Sequence, residues 1–133
     1  MQKSKLWLLL PLAGMLLAGC SQNKFNPYRH ISTIMSIKSQ EQYDVDENYI
    51  LSHTAPDLRE SLAASLQGTI YDPNYSITEK NVFIQETPEI TKLILEYDYS
   101  SSEGLFTKVV YCEYNSDQLV DYNIIQTAKN MFE

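Results

Sequence analysis

Residues 82–125 change sides nearly every step, and that pattern leaves few folds open. In residues 91–99, Leu93, Leu95, Tyr97 and Tyr99 fall on one side, with Lys92, Ile94, Glu96 and Asp98 on the other. A period of two belongs to a strand with one buried and one wet face. Residues 100–104 follow as a hairpin connection of about five residues, in which Gly104 can take positive φ. Residues 106–114 read as the next strand. Asn115-Ser116-Asp117-Gln118 is a second tight turn, and residues 119–125 form the last strand with Val120, Tyr122 and Ile124 on one face. Residues 82–85 supply one more strand. Short connections between successive strands specify an antiparallel meander of about four strands.

One helix precedes this sheet in the pattern. Leu58, Leu62 and Leu66 recur every four residues, with Ala55 and Ala63 near the same side. Thr54 is placed to cap its amino end, Pro56 suits the first turn, and Asp57 and Glu60 favour the positive end of the helix dipole. Gly68 is expected to stop it. The fold class expected is therefore α+β, with one amphipathic helix packed on the meander.

The flanks read less clearly. Ile31, Ile34 and Met35 fit a helical face while Met35 and Ile37 fit a strand, and residues 31–38 are assigned as an edge strand or extended segment. Residues 39–48 carry Glu41, Asp44, Asp46 and Glu47 without a core pattern and are assigned as a loop. A calcium loop starting at Asp44 would need Gly at its sixth place and Glu at its twelfth. This chain has Tyr49 and Ala55 there. Residues 69–71 are assigned a short strand, Asp72-Pro73-Asn74 a turn, and residues 126–133 a helical turn or tail.

The amino-terminal residues carry the sharpest functional signal. Lys3 and Lys5 precede a 12-residue apolar run from Leu6 to Leu17, and the run ends in Leu17-Ala18-Gly19-Cys20. A basic end, a short apolar core and a small-residue cut site mark a secretory signal. A spanning helix needs roughly 20 apolar residues. The tetrapeptide resembles the lipobox of bacterial lipoproteins at all four positions. That resemblance implies a diacylglycerol on the Cys20 sulfur, cleavage between Gly19 and Cys20, and an N-acyl chain on the new terminus. Ser21, where Asp would favour inner-membrane retention, implies sorting to the outer membrane, facing the periplasm. Residues 1–19 are then the signal, 20–27 the lipidated cysteine and a short polar tether, and 28–133 one small domain.

Removing Lys3 and Lys5 from ten basic residues leaves eight against 17 acidic ones, a net charge of −9. Such a surface disfavours nucleic acid and broad contact with anionic head groups. The lipid supplies the membrane contact. With Cys20 lipidated, Cys112 has no partner within the chain and reads as a buried thiol, the alternative being a disulfide between chains or a reactive thiol.

The sequence holds no recognisable catalytic or metal-binding constellation. His30 and His53 are the only histidines, and neither has a second ligand at zinc spacing. The mature chain holds only Gly68 and Gly104, so no phosphate loop exists. Glu96 and Asp98 share a wet strand face, without the cleft that a glycosidase pair requires. Tyr111-Cys112-Glu113 before a hairpin resembles part of the membrane-bound lysozyme-inhibitor family, which are small β-rich lipoproteins. Their disulfide partner and Ser-Gly loop are missing here, so no inhibitory residue is carried over. The expectation is a non-enzymatic lipoprotein without a cofactor, binding an envelope protein as an accessory subunit or acting as an exclusion lipoprotein. The alternative is an inhibitor or binder of a periplasmic enzyme such as a lysozyme.

Overall fold

The computed structural model describes residues 24–70 and 75–128. Three helices come first: α1 (Pro27–Met35), α2 (Gln40–Ser52) and α3 (Pro56–Ile70). Four strands follow: β1 (Ser76–Glu86), β2 (Ile90–Ser101), β3 (Gly104–Asn115) and β4 (Gln118–Ala128). They form one antiparallel sheet in the order β1-β2-β3-β4. The α+β meander expected from the alternation is present, but three helices accompany it rather than one.

α1 corrects the assignment of residues 31–38 as extended. Its start lies upstream of that window, where the Asn26 side chain accepts a hydrogen bond from Arg29 N (3.2 Å) and Pro27 occupies the first turn. From there His30, Ile31, Ile34 and Met35 fall on one buried face. Ile37, which suggested a strand, lies beyond the helix in the connection and is 1% exposed.

α2 corrects the loop assigned to residues 39–48. Ser39 Oγ accepts from Gln42 N (3.1 Å) and caps the helix. Only Tyr43 and Ile50, two turns apart, are buried, so the polar face outweighs the apolar one. The acids read as loop residues sit on that polar face. Asp44 accepts from Gln40 Nε2 (2.8 Å) one turn earlier.

α3 holds Leu62 and Leu66 in the core, as their spacing requires. It does not stop at Gly68. Thr69 and Ile70, expected to be extended, belong to its last turn, with Thr69 Oγ1 donating to the Leu66 carbonyl (2.8 Å). Nor does Thr54 cap it: the buried Thr54 hydroxyl turns back to the Ile50 carbonyl of α2 (2.7 Å). Tyr71 and the turn expected at residues 72–74 lie outside the described residues.

The sheet buries one face against the helices. Leu93, Leu95 and Tyr97 of β2 meet Val110, Cys112 and Tyr114 of β3. With Ile31, Ile34, Ile50, Leu62 and Leu66 they form one core cluster. Each fully buried aliphatic side chain contributes about 1.5–3 kcal/mol relative to exposure, and this apolar layer fixes which face of the sheet turns inward.

β4 departs from the expected alternation. Tyr114 pairs with Leu119, but Glu113 pairs with Asp121, so Val120 is an extra residue in a β-bulge. The bulge shifts the phase by one. Leu119 is fully buried, Tyr122 and Ile124 pack on the core, and Val120 is exposed. The expected grouping of Val120 with Tyr122 and Ile124 is corrected accordingly. β4 also runs as far as Ala128, through residues 126–128 that were assigned to a helical turn or tail. The β2–β3 hairpin is tighter than expected, since pairing continues to Ser101 and Gly104, the latter at φ +133°.

Candidate functional site

Among the described residues, a histidine–aromatic cluster at the amino-terminal end and the sheet face that the helices leave uncovered stand out as candidate sites.

The cluster is built by four segments. Phe25 precedes α1, His30 is in α1, Tyr49 is in α2, and His53 caps the end of α2. Tyr114 rises from β3 beneath them. Phe25 stacks on His53 with ring centroids 4.4 Å apart, and His30 meets Tyr114 edge-on at 5.5 Å. His30 is fully buried, and both of its ring nitrogens are engaged. Nε2 lies 2.9 Å from the Ile50 carbonyl, which can only accept, so Nε2 carries the proton. Nδ1 then accepts from the Tyr114 hydroxyl at 2.7 Å. Burial drives the imidazole pKa down to about 4 and the Tyr114 phenol upwards, so both stay neutral at pH 7.

The structure thus brings His30 and His53 to within 6.0 Å, centroid to centroid, a juxtaposition that their sequence spacing did not announce. It does not make a metal centre. His53 Nδ1 donates to the Asp117 carbonyl (3.0 Å), and the described residues contain no group of three His, Cys, Asp or Glu able to hold an ion. The groove above the cluster, of ≈ 410 Å³, is lined by Arg29, Thr33, Asp46, Tyr49 and His53.

Cys112 takes the buried position expected of it. It is 0% exposed, and desolvation pushes the thiol pKa up to about 12. A thiol this protonated and enclosed does not react. Addition of a disulfide reagent to the folded protein is expected to leave Cys112 unlabelled within minutes, and to label it after denaturation. Full labelling of the native protein would contradict the burial.

The carboxylates considered as an acid–base pair are both engaged on the outer face. Glu96 accepts from Asn81 Nδ2 (2.7 Å), and Asp98 pairs with Lys80 (3.4 Å). They share that face with apolar side chains. Phe83, Ile94 and Tyr111 stand in register on β1, β2 and β3, and Val109 pairs with Ile125 of β4. Phe83 is 61% exposed, Ile94 43% and Ile125 57%. The sequence had placed Ile94 among the wet residues. An isoleucine between Lys92 and Glu96 was the signal that this wet face is also a sticky one. Charges rim the row, with Glu113 directly opposite Asp121 and Lys92 beside Glu113.

Gly19, Cys20 and Ser21, the residues of the expected processing, lipidation and sorting signals, lie outside the described residues. Among the described residues no helix is long and apolar enough to cross a membrane. Comparison with known proteins adds no family: no family model and no curated protein matches this chain. A de novo designed β-sheet protein solved by solution NMR is similar over 77% of this chain and 82% of its own, with 8% identity and a TM-score of 0.45. At that score the likeness carries no argument about fold or function.

Proposed function

We propose that the chain is a non-enzymatic envelope lipoprotein, held by lipid on Cys20 at the outer membrane, and that it binds another protein through its outer sheet face. The observation that carries the binding role is the row Phe83–Ile94–Tyr111, with Phe83 and Ile94 exposed and Tyr111 half-buried beside them, on the sheet face away from the helices. Contiguous apolar surface with a polar rim is characteristic of protein contact sites, and tyrosine suits such a surface. The partner this face fits has an apolar centre and a basic rim, since the chain is acidic and carries Glu113 and Asp121 at the edge of the row. An accessory place in an envelope assembly, or an exclusion role, is consistent with that surface.

The acidic balance also supports a second reading, the capture of a soluble basic enzyme such as a lysozyme. Crosslinking pull-downs from the native envelope separate the two. The wild-type chain is expected to capture one dominant partner, and Ile94→Glu, which is tolerated at an exposed position, to lose it. A membrane protein in that band supports the accessory reading. A soluble basic enzyme, with an on-rate that falls as salt rises, supports the inhibitor reading. Equal capture by Ile94→Glu would remove the sheet face from the proposal.

A further inference from the structure

Lys108 sits where the fold calls for an apolar residue. On β3 the side facing the helices runs Phe106, Lys108, Val110, Cys112 and Tyr114, and every other member is aromatic, aliphatic or a thiol. Its Nζ stands 4.1 Å from the centroid of the Tyr99 ring. The ion pairs among the described residues are His53–Asp117 and Lys80–Asp98, and neither involves Lys108. Among the described residues, no carboxylate forms an ion pair with Lys108. Desolvation lowers the pKa of this amine. A cation over a ring is partly stabilised. A charge drawn toward a protein interior is ordinarily matched by an anion.

Beside Lys108 a small pocket opens between α1, α3 and the sheet. Ile34, Met35, Leu66, Tyr122 and Ile124 wall it, and its volume is ≈ 60 Å³. That is room for roughly four to six water-sized groups, and butyrate has six non-hydrogen atoms. Ser65 of α3 and Tyr122 of β4 bring hydroxyls to the same pocket and can donate hydrogen bonds to an acceptor, while the Thr69 and Tyr75 hydroxyls there are spent on the Leu66 and Ile37 carbonyls. One cation, two hydroxyls able to donate and walls made largely of apolar side chains suit a small amphiphile with an anionic head.

We infer that this pocket binds a short aliphatic carboxylate, with the carboxylate on Lys108 and the alkyl end among Ile34, Leu66 and Ile124. The ammonium selects the charge, and the walls select a tail of a few carbons. Amines are excluded by the charge. The inference does not rest on the sheet-face reading, since Lys108 faces the other side of the sheet.

Calorimetric titration of the purified full chain in a neutral detergent tests it, with butyrate as the probe and butylamine as the control. Butyrate is expected to bind saturably at roughly millimolar affinity or tighter, and to raise the thermal midpoint. Butylamine is expected to give no saturable heat. Lys108→Met keeps the stem and removes the charge, and is expected to weaken butyrate roughly tenfold or more. Lys108→Arg keeps the charge and is expected to retain binding, which separates a lost ligand from a lost fold. No saturable binding of butyrate to the wild-type chain, or equal binding to Lys108→Met, would overturn the inference.

Discussion

Lowering the pH from 7 to 5 is expected to remove about 2 kcal/mol of folding stability through His30 alone. The folded-state pKa of this imidazole is held down to about 4, chiefly by burial, against an ordinary 6.5. A depressed histidine contributes its full stability above the unfolded value, because there neither state binds the proton. Below pH 6.5 the unfolded chain takes up a proton that the folded chain refuses, and stability falls until the pH passes about 4. The groups packed round the ring offer no relief. Phe25 and Tyr49 are neutral, His53 is a second imidazole, Tyr114 donates its hydroxyl proton, and only the Ile50 carbonyl favours the charged form. Urea unfolding followed by circular dichroism at pH 7 and pH 5 checks this. His30→Gln is expected to be weaker at both pH values, because it disrupts the buried pair with Tyr114. It should also lose the pH-dependent step. If wild type and variant lose the same stability on acidification, the step belongs to other groups and the role given to His30 is wrong.

That histidine also marks where sequence reading stopped. The meander was legible because Leu93, Leu95 and Tyr97 alternate against residues that face water, and one buried face fixes the register. α3 was legible because Leu58, Leu62 and Leu66 repeat at helical spacing. α1 was missed because its defining signals, Asn26 and Pro27, lie ahead of the apolar residues, in a stretch assigned to a tether. α2 was missed because two buried residues, Tyr43 and Ile50, are too few to show a period among so many acids. Single-residue events were invisible for another reason. The bulge at Val120 follows from how β4 fits β3, and nothing in residues 119–125 announces it. The partnership of His30 with Tyr114 spans 84 positions and exists only once α1 lies on the sheet. Lys108 was legible as a charge within a strand, but its inward direction became visible only with the register.

Cys20→Ala is expected to abolish lipid attachment altogether, the largest effect of any single substitution proposed for this chain. The case rests on Leu17-Ala18-Gly19-Cys20 directly after an apolar run of 12 residues, too short to span a bilayer. Nothing else identified in the mature chain replaces that attachment. With residues 1–19 removed, a net charge of −9 would give an anionic membrane surface no electrostatic attraction, and no described helix can cross the bilayer. Acyl chains supply what the surface does not, at about 0.8 kcal/mol for each buried methylene, and two or three chains hold where one binds only marginally. Cells fed labelled palmitate are expected to label the wild-type protein and leave Cys20→Ala unlabelled. Mass spectrometry should find the wild-type amino terminus at a lipid-bearing Cys20, and the variant uncut after Gly19. The uncut signal is itself apolar, so the label and the mass decide the question, with carbonate-washed membranes as the supporting readout. A wild-type protein that takes up no label, or whose amino terminus lies elsewhere, would end the lipoprotein reading. The sheet-face row and the Lys108 pocket would then need an owner in another compartment.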